Sequence, residues 1–556
     1  MNESSEFWCR DTTNANANFH KQEEKELLSH SSFTLISLTF ALVATAVITI
    51  YGSLYVLLHY TQDANEPPPI STSLPFIGTV IQLSRKKTKF YIELRNKHDL
   101  PIYTLRLPGA RLCVVNSLAL IPAVQRQYKD LAFPPLEAMG AMSVCGSSKT
   151  ANDILNTNIN GDEGDWGYSM TFYKTIHKPL APGPELDAMN RVMAQKVAAS
   201  VDGIKGERSV RLFDFIKREI AMATTESVYG PQNPFKDPVV ADGFWKFQPG
   251  VMILLMGLFP SIFARESLQA REYMAKAFNK YFKNGGHDEG SALIKARFNH
   301  STEHKIPVDD IARFEVGNTI GLLSNTSPSA FWMAYHLYSD PAVLEDCRQE
   351  LAKVISEEMT TMMSGEIVKI RTLDMSRVKV DCPILLSTLQ EVLRVHSTGI
   401  SARMVMKDYM LDGKYLLKKG STVMIPGPVQ HTSASSWGPN VEVFDHRRFL
   451  PENKRHNPIS FRGFGGGTTL CPGRHFASTE ILAFTALLIL RFDIAPVDGK
   501  WVHLTTNNVA MWETSAAPDE DIAVRISPRT GEELGIKWRV LVSDSDKAMP
   551  LSAEDL

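Results

Sequence analysis

The chain has 556 residues, of which 44% are hydrophobic and 22% charged, and its formal net charge is −2. This is enough apolar material for an extensive core, while length by itself sets only a prior on domain number. The near-neutral balance gives no ground for nucleic-acid binding. Six scattered cysteines (Cys9, Cys113, Cys145, Cys347, Cys382 and Cys471) form no disulfide framework, which suits a reducing compartment.

Residues 1–30 are polar and mixed in charge, with Asn2-Glu3-Ser4 as a glycosylation pattern. Ser31 to Gln62 has no Asp, Glu, Lys or Arg, and its apolar heart, Phe33 to Leu58, exceeds the roughly 20 residues that cross a bilayer. It starts too far in and runs too long for a signal peptide, so residues 31–60 are read as an uncleaved transmembrane anchor. Lys21 and Lys25 lie before it, whereas Arg85, Lys86, Lys87 and Lys89 fall beyond the usual counting window, so charge leaves its orientation open. Residues 61–80 contain Glu66-Pro67-Pro68-Pro69 and Leu74-Pro75-Phe76-Ile77-Gly78. Proline runs are stiff and extended, which predicts a hinge. A globular domain is expected over 81–535 and a polar tail over 536–556.

Within that domain a helix is expected from Phe90, then strands at Ile102–Leu107 and Arg111–Val115. Ser143 to Asp165 is rich in Gly, Ser, Asn and Asp and reads as a long mobile loop. Helical patterns dominate from Glu185 to Lys283, where the apolar run Val251–Phe259 fits a core helix, a pocket cover or a segment dipping into a membrane. A further helix is expected from Asp309 to Ser339, stopped by Asp340-Pro341. Pro328 lacks an N–H, so the Ser324 carbonyl loses its helical partner and the helix should kink or open.

Ile384 to Leu389 is apolar and leads into Gln390-Glu391-Val392-Leu393-Arg394, which sets Glu391 and Arg394 on one helical face. Arg448 follows in Phe444-Asp445-His446-Arg447-Arg448-Phe449-Leu450. The loop Phe464-Gly-Gly-Gly-Thr-Thr-Leu-Cys471-Pro-Gly-Arg-His-Phe-Ala477 then places a single cysteine before an apolar helical run. Pro472 suits a first helical position, and the helix dipole would favour a thiolate at Cys471. No second cysteine lies nearby for zinc, and Cys471 to His475 is not the Cys-x-x-Cys-His of covalent haem attachment.

Phe464, Gly467, Cys471 and Gly473 together read F-x-x-G-x-x-x-C-x-G, which resembles the haem-thiolate loop of the cytochrome P-450 family. Glu391, Arg394 and Arg448 resemble that family's buried charged triad. The resemblance implies a mainly α fold: a large helical domain with a small β-rich region, preceded by one transmembrane helix. It implies haem b held by Cys471 as axial ligand to iron, with Phe464, Gly467 and Gly473 shaping the loop. It also implies monooxygenation of a lipophilic substrate, with electrons from NADPH-cytochrome P-450 reductase, since no flavin or nicotinamide-binding segment is present. The expected location is the endoplasmic reticulum membrane, single-pass, with the catalytic domain in the cytosol and residues 1–30 in the lumen.

Thr326 resembles the family's oxygen-side threonine, but Asn325 stands where an acid is common. Thr469 stands where an arginine or histidine usually meets a haem propionate; the resemblance implies Arg403, after the Glu391 helix, as a propionate partner, and Trp166 and Lys178 are candidates for the family's Trp and Arg. These departures, with Pro328 and Cys-Pro-Gly-Arg, resemble the branch holding steroid 7α- and 12α-hydroxylases and prostacyclin synthase, and fungal enzymes of terpenoid and steroid pathways. Thr505–Ser515 is expected to line the pocket, and the reductase to dock near Arg462 and Arg474. A haem-thiolate isomerase acting on a peroxide and a non-catalytic haem carrier stand as the alternatives.

Overall fold

The computed structural model describes residues 38–542 apart from 71, 73, 258, 362–366, 454–455 and 530–535. The Asn2 acceptor and the first thirty residues lie outside these. Leu38–Tyr60 is one helix of 23 residues, about 34 Å long at 1.5 Å per residue. Its apolar side chains are almost all exposed, so it is a candidate membrane anchor. The prolines that follow run along the edge of a sheet, where a missing N–H costs no ladder bond. Ile70 N–H donates to the Thr104 carbonyl at 3.0 Å and Thr104 N–H to the Pro68 carbonyl at 2.9 Å. Arg111 donates to the Thr61 carbonyl at 2.9 Å and pairs with the buried Glu66. The end of this helix is thus tied directly to the globular domain.

Ile102–Leu107 and Ala110–Val115 form the expected antiparallel pair. Three strands from elsewhere complete a five-stranded sheet: Thr422–Pro426, parallel to the second strand, then Ile400–Val405 and the short Leu131–Ala132. This sheet carries Arg403 on Ile400–Val405.

The larger part is helical. Pro184–Asp202, Leu212–Tyr229 and Arg265–Lys283 account for most of the segment expected to be helical, with a strand at Arg208–Arg211 between the first two. Arg474–Arg491 is the centre of the core. It is apolar on every side, and all residues from Ser478 to Leu490 are buried, as expected of a helix surrounded by others. The triad joins the Pro383–His396 helix to the segment around Arg448. Glu391 is fully buried and accepts from Arg394 at 2.7 and 2.8 Å, from Arg448 Nε at 3.0 Å and from the Asp445 N–H at 3.0 Å.

Two expectations need correction, and one open reading is narrowed. The stretch read as a long loop contains the helix Lys149–Asn156, capped by Ser148, whose N–H and hydroxyl both donate to Asp310 at 2.7 Å. A capped helix docked on a buried carboxylate outweighed its polar composition. The stretch read as a polar tail begins with the strand Lys537–Leu541, parallel to Ile367–Asp374. Its Trp538 is buried in the main core. Finally, the apolar run Val251–Phe259 divides. Val251 and Leu254 are buried, whereas Met256 and Phe259 are exposed beside Ile262 and Phe263.

Candidate active site

The helix expected from Asp309 to Ser339 is two helices, Val308–Leu323 and Thr326–Ser339, parted at Ser324 and Asn325. The break falls where Pro328 withholds its N–H from the Ser324 carbonyl, and chain direction is retained because Ser329 N–H and Oγ both donate to the Asn325 carbonyl. Thr326 opens the second helix. Its hydroxyl reaches the Leu322 carbonyl only at 3.5 Å, the limit of a hydrogen bond, so it is poorly engaged by the protein. The Asn325 side-chain oxygen is buried with no partner among the described residues. Asn325 and Thr326 both line a cavity of about 500 Å³.

Cys471 lies across that cavity. Its N–H donates to the Phe464 carbonyl at 2.9 Å, which closes the loop, and its carbonyl accepts from Arg474 Nη1 at 3.3 Å. The helix starts at Arg474, so Cys471 precedes its first turn and Pro472 is not the first helical residue. Burial pushes the Cys471 thiol pKa up, and the Gly473 N–H and Arg474 only partly oppose this. The dipole argument for a free thiolate is therefore overridden, and coordination to a metal is what would deprotonate the sulfur.

The loop glycines answer to different demands. Gly465 and Gly467 have φ of +78° and +60°, where a side chain is strained. A Cβ on Gly467 would also strike Gln125 at 2.8 Å. Gly473 has φ of −85° and no protein atom within 4 Å of a Cβ position. Neither backbone strain nor protein crowding requires a glycine there, and the open space beside it would admit a flat group seated in the cavity.

The rim beside the cysteine loop is cationic. Arg403 is 2% exposed and donates to the Ala402 carbonyl at 2.8 Å and to Thr469 Oγ1 at 2.7 Å, both neutral oxygens. Burial, together with the nearby Arg462 guanidinium, brings its pKa down to about 10. Two buried guanidinium groups facing one cavity fit a dianionic guest such as the paired propionates of a haem. Thr469 thus orients Arg403 instead of replacing it.

Phe464, Gly473, Thr514 and Ser515 line the same cavity, and Gly467 sits behind it. Trp166 is exposed, with its indole N–H on the Glu163 carbonyl, and Lys178 points to solvent beside Glu185. Neither faces the cavity. Arg462, expected on the outer surface, is 7% exposed and lines the cavity, so it is not a docking residue. Arg297, Asn318 and Glu137 also line it, and no motif marked them.

The cytochrome P450 family profile matches residues 254–516. The cytochrome P450 monooxygenase nodJ of Hypoxylon pulicicidum is 35% identical over 521 residues, covering 91% of this chain and 99% of that protein. The chain belongs to the cytochrome P450 family. A human relative of this P450, 7-alpha-hydroxycholest-4-en-3-one 12-alpha-hydroxylase, is 21% identical and covers 78% of this chain and 87% of that protein. This agrees with the branch suggested by Asn325 and Pro328. Among solved structures, retinoic acid bound cyanobacterial CYP120A1 aligns with TM-score 0.63 and 18% identity over 84% of this chain and 99% of that one. The P450 is an oxidoreductase of the monooxygenase type with a haem-thiolate cofactor, and P450 monooxygenases in general use redox partners and lipophilic substrates.

Proposed function

We propose that this P450 is a membrane-anchored monooxygenase that inserts one oxygen atom from O2 into a lipophilic, terpenoid- or steroid-like substrate of a secondary-metabolite pathway. The observation that carries the reading is the single cavity that brings Cys471, Arg403 and the opened turn at Asn325 and Thr326 together. The identity to a fungal P450 monooxygenase and the sterol-hydroxylase name of the human relative support the substrate class.

Haem b, held through a Cys471 thiolate, would supply oxygen activation, while the protein supplies orientation and a dry pocket. Arg403 and Arg462 would hold the haem's acidic groups. Gly473 leaves the room it needs, and the Phe464 carbonyl fixes the cysteine backbone. On the other side Thr326, poorly engaged within the helix, positions a water at the open turn. Asn325 offers that water an acceptor and contributes no ionisable proton of its own. The helix Leu38–Tyr60 holds the enzyme in the endoplasmic reticulum membrane with the catalytic domain in the cytosol, where NADPH-cytochrome P-450 reductase delivers electrons.

The test compares two reactions of the detergent-solubilised, haem-loaded protein on an extract of lipophilic metabolites from its own source. Oxygenated product that requires NADPH, reductase and O2 is the expected result. Conversion of a hydroperoxide without NADPH, and none with it, would favour an isomerase.

A further inference from the structure

The peptide unit that leads into Cys471 is held at both ends. Its N–H, that of Cys471, donates to the Phe464 carbonyl at 2.9 Å, a bond closed within the loop. Its carbonyl, that of Leu470, accepts from the Tyr173 hydroxyl at 2.9 Å, across 297 positions of chain. Leu470 is buried, and among the described residues no backbone N–H donates to its carbonyl. A buried carbonyl stripped of its donor is costly, so the Tyr173 bond holds the peptide firmly in place.

Tyr173 stands on the helix Tyr168–Leu180. Phe172, Ile176 and Leu180 of that helix line the cavity, each one turn from the next. Phe172 therefore faces the cavity while its neighbour Tyr173 reaches the cysteine loop. Lys178, the helix's candidate for a propionate contact, points to solvent beside Glu185. What the helix delivers to the site is a hydroxyl on the loop. The Arg474 contact on the Cys471 carbonyl, at 3.3 Å, comes by contrast from only three positions away.

From this geometry we infer that Tyr173 is a positioning residue for Cys471: it clamps the peptide before the cysteine and places the positive end of a hydroxyl dipole one residue from the ligand. Groups outside the ligand set orient a ligand and tune the metal that it binds. Positive charge density near the sulfur favours the more negative, reduced state of the centre, so the Tyr173 hydroxyl raises the reduction potential. The inference rests on Cys471 as the haem ligand and is independent of the substrate.

The experiment measures the reduction potential and the ferrous–CO spectrum of four haem-loaded proteins, in buffer below the ionisation of any phenol. They are wild type, Tyr173→Phe, Tyr168→Phe and a protein carrying 3-fluorotyrosine in place of Tyr173. Tyr168 is the control, since its hydroxyl meets Ser301 Oγ at 3.1 Å from the same helix without touching the loop. Tyr173→Phe should lower the equilibrium constant for reduction by a factor of about two to five, equivalent to 20–40 mV at 59 mV per decade. Fluorine strengthens the phenol as a donor at almost unchanged size, so the 3-fluorotyrosine protein should move the other way, above wild type. A packing defect would not reverse sign in this manner. Tyr173→Phe should also lose the red-shifted CO band at lower urea concentration than Tyr168→Phe. A Tyr173→Phe potential equal to or above wild type, or equal shifts in Tyr173→Phe and Tyr168→Phe, overturns the inference. If Tyr173→Phe takes up no haem, the 3-fluorotyrosine protein decides alone, and a potential at or below wild type overturns it. A wild type without the red-shifted band removes the Cys471 assignment itself, whereas a normal band with unmoved potentials removes the clamp alone.

Discussion

Replacing Glu391 by alanine should cripple the fold without touching the cavity. Glu391 accepts five contacts, from Arg394 Nε and Nη2, from Arg448 Nε at both oxygens, and from the Asp445 N–H. Its loss leaves two guanidinium groups buried, with side-chain exposures of 2% and 8%. Among the described residues they keep carbonyl and amide partners, His431 for Arg394 and Trp437, Asn440 and Val443 for Arg448, and the Trp437 ring under Arg394 at 5.4 Å. Removing one member of a buried charge cluster costs about 3–5 kcal/mol, because the remaining charge is uncompensated. Against a total stability of roughly 5–15 kcal/mol this is a large fraction. The folded-to-unfolded ratio should fall by a hundredfold or more, at about 1.4 kcal/mol per decade. Urea unfolding of the haem-loaded protein, followed by Soret absorbance and tryptophan fluorescence, reads the change. Glu391→Gln, which keeps an acceptor oxygen, should lie between wild type and alanine. Replacing all three charges together (Glu391→Leu, Arg394→Met, Arg448→Met) should recover part of the loss. A Glu391→Ala protein within about 1 kcal/mol of wild type, well under the expected cost, would refute this reasoning.

Thr326→Ala should retain haem and substrate binding but divert reducing equivalents to hydrogen peroxide. The expected fall in product per NADPH is at or below the low end of the roughly 10²–10⁴-fold typical of acid–base groups, because a hydroxyl that orders water is not itself the acid; unchanged coupling would remove Thr326 from the proton path. Glu480 is buried with only the Thr224 hydroxyl on its carboxyl among the described residues, and burial raises its pKa to about 8. The native state therefore holds a proton that the unfolded state releases from about pH 4.5, so stability should decline from there to about pH 8. Glu480→Gln should flatten that decline in urea midpoints measured across the range, and an unchanged pH slope would contradict the assignment. Trp538 lies between the Arg371 and Arg491 guanidinium groups, at 5.7 and 5.9 Å. Trp538→Ala should cost about 3–5 kcal/mol, as for other buried aromatic deletions, whereas a neutral result would return Lys537–Leu541 to the status of a tail.

What was readable from the sequence was whatever is local. The cysteine loop, the Glu391–Arg394 spacing and the Pro328 break each follow from residues within a few positions of one another; Cys471 and the opened turn line one cavity, and Glu391 pairs with Arg394. The first strand pair was legible for the same reason. Arg462 was misplaced because a charged side chain two residues from Phe464 gives no local sign of facing inward; its burial depends on the arrangement of the whole glycine loop. Glu137 carried no signal at all between Pro134 and Gly140. Arg297 and Asn318 likewise reach the same cavity from distant segments. The strand Lys537–Leu541 alternates Trp538 and Val540 with charged neighbours, but five residues are too few to betray a partner far upstream at Ile367–Asp374.

The measurement that bears most directly on the account is the ferrous–CO spectrum of Cys471→Ala beside wild type and Cys382→Ala. Cys382 is buried outside the cavity, so its loss should leave the ligand set intact. Wild type and Cys382→Ala should show the red-shifted Soret band of thiolate-bound haem, and Cys471→Ala should lack it. A red-shifted band that survives in Cys471→Ala would contradict the assignment of Cys471 as the haem ligand.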